Sequence, residues 1–280
     1  MDSILKLLLV FLSTVRITMS APVNKTQFNN SGVVYRSFGR GQDALVFIHG
    51  WTCSGDLWEP QTPLFHQYRS IVIDLPGHGQ SDAPVLEYSR EYFARAVKAV
   101  LDDAEVSKGV LVGHSMGGPV STTFLQLFPE QVSGIIYVDS FFNLPENYLL
   151  QPERKELSSK LNDDEFFLNL VTGFFTNKTT PGMRSQIIKT MTNTAKYVRT
   201  NATTTDLLPP PFRWGDIFGI PALHLVTPRF ADIDRAWLHH LPRLEQKEWT
   251  EYGHFLFMED PQRFNNEVST FLQQNGLVAK

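Results

Sequence analysis

The sequence predicts an α/β fold, with a mostly parallel central sheet flanked by helices and a helical cap inserted late in the chain. The first observation is that short β-branched runs alternate with longer helix-compatible segments, as in βαβ units. The second is that these runs are continuously apolar, as expected for strands covered by helices on both faces. At 280 residues, the chain is long enough for one such core with an insertion.

The strands and helices of the core follow from these patterns in chain order. A helix over residues 92–101 is predicted because its apolar side chains recur at helical spacing. Further helices are predicted over residues 119–128 and 261–274. The predicted strands cover residues 33–35, 44–48, 70–74, 109–112, 134–138, 222–226 and 248–249.

The strand pattern is interrupted between residues 141 and 218, where aromatic pairs and helix-compatible segments replace it. This region is predicted to be a helical cap, with its best helices over residues 161–171 and 181–197. Three consecutive prolines at 209–211 mark the return towards the core. The core is therefore predicted to comprise residues 21–140 and 219–280.

Composition excludes several classes of partner. The net charge is −4 and the pI is near 6.1, and no Lys/Arg-rich run is present, so a nucleic-acid partner is not expected. We expect neither a metal nor an organic cofactor. The single cysteine, Cys53, allows no intramolecular disulfide. Stability must therefore come from the core.

The first 20 residues resemble a secretory signal peptide. Lys6 precedes the apolar run 7–12, and small residues precede Ala21. The run is shorter than the roughly 20 residues that span a bilayer, so no integral membrane span is expected. Four N-x-[ST] sequons, each in a polar stretch that would suit a surface loop, support secretion as a group. They begin at Asn24, Asn29, Asn177 and Asn201.

A G-x-S-x-G pentapeptide at residues 113–117 lies between a predicted strand and a predicted helix. A sharp strand-to-helix turn strains the central serine and exposes its hydroxyl, and the flanking glycines let the two elements approach closely. Ser115 is therefore the candidate nucleophile. The amide of Met116 would lie at the helix N-terminus, where it can stabilise a developing oxyanion.

Together with three other motifs, this pentapeptide resembles the α/β-hydrolase superfamily over residues 32–275. The others are His49-Gly50-Trp51, the segment 74–81 with sequence DLPGHGQS, and Gly253-His254-Phe255. The resemblance implies that the Trp51 and Met116 amides form the oxyanion hole. His254, behind a glycine and after a late strand, is the candidate general base.

The acid of the triad has two candidates. In the common arrangement of the family the acid follows the strand after the cap, where Asp232 lies but is displaced from the usual position. In a subset of the family the acid lies one strand earlier, at the position of Asp139. A carboxylate at either strand end can orient the histidine. We favour Asp139 and keep Asp232 as the alternative.

These residues predict a serine hydrolase that cleaves ester or lactone bonds through an acyl-enzyme on Ser115. Aromatic side chains of the cap favour an apolar or aromatic small-molecule substrate. Some relatives with the earlier acid are cofactor-free dioxygenases, and a ligand-binding member with little turnover would keep the same triad, so both remain alternatives. The candidate pocket residues are His114, Phe141, Phe142 and Trp214.

Overall fold

The computed structural model describes residues 21–141, 156–157, 159–204, 216–231 and 239–279. The predicted signal peptide, Phe142, Trp214 and Asp232 lie outside the described residues. An eight-stranded sheet in the order β1-β2-β4-β3-β5-β6-β7-β8 dominates the described part. Within the described ranges, no helix combines the length and the apolar character needed to cross a bilayer.

Six strands of the sheet run parallel, and the first two complete it in antiparallel fashion at one edge. The central parallel strands are largely apolar, as their sequences indicate, whereas the last strand, at the opposite edge, is largely polar. The bounds are β1 Val23–Phe28, β2 Ser31–Phe38, β3 Asp43–Ile48, β4 Ser70–Ile73, β5 Lys108–His114, β6 Val132–Val138, β7 Ala222–Val226 and β8 Leu244–Glu248.

Helices follow most of the strands and cover both faces of the sheet. Two 3₁₀ segments, Gly55–Gln61 and Pro129–Gln131, accompany them. The α-helices are α1 Thr62–Gln67, α2 Arg90–Asp103, α3 Gly117–Leu127, α4 Asp164–Thr172, α5 Pro181–Thr192, α6 Lys196–Thr204, α7 Pro228–Ala231, α8 Leu256–Glu259 and α9 Pro261–Asn275.

The sheet separates two hydrophobic layers, and alternate residues of each central strand enter opposite layers. In β5, Leu111 packs with α2 and α3 on one face, whereas Val110 packs with α1 and α9 on the other. Both side chains are fully buried. The predicted parallel sheet with two covered faces is thus confirmed.

The structure differs from the predicted elements in three places. β1 was not predicted, because it is a polar edge strand with little apolar signal. The last strand lies at Leu244–Glu248, just before the predicted position, because it too is a largely polar edge strand. The predicted helix 181–197 is two helices: α5 ends at Thr192, and the Thr194 hydroxyl donates to the Thr52 carbonyl at 3.1 Å.

Candidate active site

The carboxyl ends of β3, β5, β6 and β7 lie side by side at one edge of the sheet. The register aligns Ile48 with Gly113, His114 with Val138, and Val138 with Leu225. The residues that follow these strand ends are therefore neighbours, as is general for ligand sites of parallel sheets. This edge is where the motifs identified in the sequence meet.

Ser115 occupies the turn between β5 and α3 with a left-handed φ of 51°. Non-glycine residues rarely adopt this conformation, and the strain is typical of functional sites. Glycines at both flanks make the turn possible. A Cβ at Gly113 would lie 2.4 Å from the Gly117 carbonyl oxygen, and one at Gly117 would lie 2.3 Å from the Ile48 oxygen. The sequence argument for the glycines of the pentapeptide thus has a direct steric basis.

Hydrogen bonds from the neighbouring strand hold this turn in place. The Ser115 amide donates to the Val138 carbonyl at 3.1 Å, and the Ser140 hydroxyl donates to the Ser115 carbonyl at 2.5 Å. Gly118 makes room for Ser140, because a Cβ there would lie 2.0 Å from the Ser140 hydroxyl oxygen. The strained backbone is therefore fixed by the end of β6.

Asp139, directly after β6, is fully buried and has a φ of 39°. Its Oδ2 lies 2.7 Å from His254 Nδ1. Its Oδ1 accepts from the backbone amide of Thr227 at 2.8 Å and from the Thr227 hydroxyl at 2.7 Å. The structure therefore brings Asp139 to the histidine.

His254 lies in the loop after β8 and is only 6% exposed. Because the Asp139 carboxylate accepts from Nδ1, that nitrogen carries the hydrogen, and Nε2 is the nitrogen that can take a proton. The ring packs against Phe174, with centroids 4.8 Å apart, and against His114, with centroids 4.6 Å apart. His254 and Ser115 line the same small pocket.

Two backbone amides next to Ser115 are available to bind an anion. Within the described residues, neither the Trp51 amide nor the Met116 amide donates a hydrogen bond. Met116 is the N-cap of α3, where the helix dipole favours negative charge. A Cβ at Gly50 would lie 3.0 Å from Ser115 Cβ, so only glycine lets the Trp51 segment approach this closely. This arrangement has the form of an oxyanion hole.

A family model described as the alpha/beta hydrolase fold matches residues 43–193, which is more than half of the chain. This chain belongs to the α/β-hydrolase family. The matched region contains Ser115, Asp139 and the Trp51 segment, whereas His254 follows it. The fold and the order of the motifs agree with this membership.

Known proteins similar to this α/β hydrolase include esterases. A pimeloyl-[acyl-carrier protein] methyl ester esterase of Vibrio campbellii is 39% identical over 107 residues, covering 38% of this chain and 40% of the relative. The chain thus matches less than half of that relative. Two solved structures superpose with a TM-score of 0.76 at 25% identity. One is an enzyme that degrades N-acyl homoserine lactones, and the alignment includes 89% of this chain and 100% of that enzyme. The other is an esterase from Rhodococcus sp. ECU1013, and the alignment includes 91% of this chain and 99% of that esterase.

The pocket at Ser115 is small and apolar. Its volume is about 20 Å³, enough for roughly one water molecule. Phe174, from the loop between α4 and α5, and Met191, from α5, form part of its wall. The lining residues are Gly50, Trp51, Cys53, His114, Ser115, Phe174, Met191, His254 and Phe255.

The pocket differs in part from the sequence prediction. Among the predicted pocket residues, His114 lines it, whereas Phe141 is half-buried beside Ser140 and does not. Cys53 and Phe255 were not predicted, although each lies within two residues of a predicted site residue. Met191 comes from α5, and no sequence signal distinguished it from the other apolar residues of that region.

His114 supports the loop that carries the base. Its Nε2 donates to the His254 carbonyl at 2.8 Å, and its side chain is buried. Burial, together with the adjacent His254, lowers the pKa of His114 well below its usual value. His114 is therefore a neutral donor at physiological pH.

Other polar residues of the family motifs hold loops together. His49 Nε2 accepts from the Leu75 amide at 3.0 Å, and burial lowers the pKa of His49 to about 3. The Asp74 carboxylate accepts from the Gly55 amide at 2.7 Å and from the Gln80 amide at 2.9 Å. These contacts give His49 and Asp74 structural roles in the loops beside the site.

The four sequon asparagines are not all in loops. Asn29 lies exposed in the turn between β1 and β2, and Asn177 lies exposed between α4 and α5. Asn24 is half-buried within the edge strand β1. Asn201 is half-buried in α6, where its Oδ1 accepts from the Tyr88 amide at 2.7 Å. The expectation of a surface loop was therefore wrong for Asn24 and Asn201, because each lies in a regular element.

Proposed function

We propose that this α/β hydrolase cleaves carboxylic ester or lactone bonds through an acyl-enzyme on Ser115. The observation that carries the proposal is the hydrogen bond of 2.7 Å between Asp139 and His254 beside a strained Ser115. It fixes the tautomer in which His254 Nε2 can act as a base. The amides of Trp51 and Met116, which donate to no group of the described residues, supply the complementary electrostatic element.

In acylation, Ser115 Oγ bonds to the carbonyl carbon of the substrate while its proton passes to His254 Nε2. The carbonyl oxygen becomes an oxyanion that accepts from the Trp51 and Met116 amides. The tetrahedral intermediate then collapses, the bond to the alcohol oxygen breaks, and the imidazolium returns its proton to that oxygen. Asp139 stabilises the imidazolium between these two steps.

In deacylation, a water molecule attacks the acyl carbon and gives one proton to His254. The second tetrahedral intermediate collapses, Ser115 Oγ leaves, and the proton on His254 returns to it. The carboxylic acid is released and the enzyme is regenerated. No oxidant, reductant or cofactor is needed for this sequence.

The residues around Ser115 favour a neutral, apolar acyl or alcohol group, and the pocket, with its volume of about 20 Å³, must widen to admit one. Trp51, Phe174, Met191 and Phe255 supply its walls, and none of the described lining residues is Asp, Glu, Lys or Arg. Burying a charged substrate group there without a partner would be costly. An apolar or aromatic small molecule is therefore the proposed substrate class. The similarity to an esterase and to a lactone-degrading enzyme supports an ester or lactone as the bond that is cleaved.

Intact-protein mass after incubation with an active-site-directed fluorophosphonate tests the mechanism. We expect a single adduct in the wild type and none in Ser115→Ala. Ser115→Ala should also lose the hydrolysis of p-nitrophenyl esters, from the acetate to the octanoate. The chain-length series would also define the acyl group. A folded wild-type protein with neither adduct nor hydrolysis would contradict the proposal. Dioxygen uptake and ligand binding would then be measured, because both alternatives need no acylated serine.

We further propose that the protein enters the secretory pathway and is glycosylated at its exposed sequons. Asn29 and Asn177 are exposed, whereas Asn24 and Asn201 are half-buried. Expression in a eukaryotic secretory host, followed by peptide-N-glycosidase treatment and mass spectrometry, tests this. Glycans at Asn29 and Asn177 on protein from the medium would support it. Retention of an unmodified protein in the cytosol would contradict it.

A further inference from the structure

Glu259, at the end of α8, connects two segments that meet at the pocket. Its Oε2 accepts from the Gly253 amide at 2.6 Å, directly before the candidate base. Its Oε1 accepts from the Thr176 hydroxyl at 3.0 Å and from the Thr179 hydroxyl at 2.5 Å. Both threonines lie in residues 174–179, between α4 and α5, which we call the 174–179 loop. One carboxylate thus binds the His254 loop with one oxygen and the 174–179 loop with the other.

The two segments are in direct contact at this point. A Cβ at Gly253 would lie 2.8 Å from Thr176 Cγ2 and 2.9 Å from the Phe174 carbonyl oxygen. Only glycine allows this approach. Gly253 therefore has a steric role that is independent of its hydrogen bond to Glu259, and both features bring the same two segments together.

The 174–179 loop forms a wall of the active site. Phe174 lines the pocket with Ser115, and its ring centroid is 4.8 Å from that of His254. At the other end of the loop, Thr179 is only 2% exposed. A shift of this loop would therefore move the ring that packs on His254.

A second polar side chain binds two carbonyl groups of the 174–179 loop. Arg184, on α5, donates from Nε to the Thr179 carbonyl and from its terminal nitrogen to the Thr176 carbonyl, each at 2.8 Å. Among the described residues no lysine or arginine forms an ion pair with Glu259. The three donors to Glu259 are thus its main stabilising partners, and charge-assisted hydrogen bonds of this kind are strong.

We propose that Glu259 is a positioning residue, which sets the position of His254 by holding Gly253 against the 174–179 loop. This inference rests on the proposed function. Without the carboxylate, three donors lose their acceptor, and the Phe174 wall and the His254 loop move independently. Misplacement of a catalytic group by about 1 Å can cost on the order of a hundredfold in rate. None of the groups that bind Glu259 lines the pocket, so substrate binding changes only through Phe174, and the loss falls mainly on turnover.

Glu259→Ala removes the whole connection. Thr179→Val removes one of the two hydroxyl donors of the 174–179 loop, and with it the acceptor of the Thr176 amide, whereas Thr179→Ser retains the hydroxyl. Glu245→Gln, at an exposed position of β8, is the matched control. All are produced in a host without N-glycosylation, because Thr179→Val also removes the Asn177 sequon. Active sites are titrated with the fluorophosphonate, and kcat is expressed per titrated site. This normalisation removes any effect of incomplete folding.

We expect kcat per titrated site to fall roughly tenfold or more in Glu259→Ala, with a smaller change in KM, and to fall less in Thr179→Val, because Thr176 still donates to Oε1. Thr179→Ser and Glu245→Gln should retain wild-type values. The double variant should lose little more than Glu259→Ala alone, because the Thr179 hydroxyl then has no carboxylate to bind. Unchanged kcat per site in Glu259→Ala would overturn the inference while leaving the proposed function intact.

Hydrogen exchange provides a readout that does not depend on turnover. If Glu259 joins the two segments, Glu259→Ala raises exchange in peptides that cover the 174–179 loop and in those that cover residues 252–255. Increased exchange in neither segment would overturn the inference even in a protein without esterase activity. Failure of the proposed function alone is recognised by the missing Ser115 adduct in the wild type.

Discussion

Asp139 divides its carboxylate between two partners: Oδ2 binds the His254 ring and Oδ1 binds the amide and hydroxyl of Thr227. The acid at the end of β6 is thus held by the residue that follows β7. Three hydrogen bonds satisfy a carboxylate that is fully buried. Its orientation towards the histidine is fixed by this arrangement.

Replacing Asp139 by Asn tests the role of this carboxylate. The side chains have the same shape, but the amide group can offer a donor to His254 Nδ1 and favour the unproductive tautomer. We expect kcat for p-nitrophenyl acetate to fall by roughly ten-thousandfold, the effect of this change in other serine triads. Asp43→Asn, at an exposed position of β3, is the control. Wild-type turnover in Asp139→Asn would exclude Asp139 as the acid.

Thr227→Val removes one donor to Asp139 and keeps its backbone amide. Thr227 is buried and its hydroxyl lies 2.7 Å from Oδ1, so the carboxylate loses a short hydrogen bond. Because hydrogen bonds to charged groups contribute about 1.5–3 kcal/mol, we expect the free energy of unfolding to fall by about that amount. Urea denaturation measures it, with Thr227→Ser as the variant that retains the hydroxyl. Equal losses in both variants would show that packing, not the hydrogen bond, is responsible.

Gly50→Ala tests the oxyanion segment without touching a side chain. The added Cβ would lie 2.9 Å from His114 Nδ1 and 3.0 Å from Ser115 Cβ, so the Trp51 segment must move away from the nucleophile. Loss of one oxyanion donor typically reduces kcat by about a hundredfold to a thousandfold. We expect a loss of this order in p-nitrophenyl acetate hydrolysis. Gly219→Ala is the control, because no atom of the described residues other than its chain neighbours lies within 4 Å of a Cβ at that position. Equal activity of both variants would contradict this role.

Much of the central sheet could be predicted from the sequence, because β3 to β7 are buried on both faces and therefore apolar throughout. The edge strands β1 and β8 could not, since their mixed polar sequences carry no such signal. The elbow at Ser115 followed from local glycine spacing, which has a steric cause.

The contacts between distant segments could not be predicted. The hydrogen bonds of Glu259 join residues about 80 positions apart in the chain, and Met191 reaches the pocket from α5. The choice between Asp139 and Asp232 likewise depended on which strand end adjoins His254. Asp139 does so in the structure, whereas Asp232 lies outside the described residues.

Stability should fall as the pH is lowered below about 6.5. Burial lowers the pKa of His49 to about 3 and that of His78 to about 4, and it also lowers that of His114. These histidines remain neutral in the folded state while the unfolded chain takes up protons, so the stability present above the unfolded pKa is lost towards the folded values. Each contributes about 1.4 kcal/mol per pH unit within that window.

Urea denaturation between pH 7 and pH 5 measures the slope of the unfolding free energy against pH. His78→Asn can still donate to the Pro76 carbonyl, and it should lower that slope by the contribution of about one proton. A free energy of unfolding that stays constant from pH 7 to pH 5 would contradict the neutral, buried state of these rings.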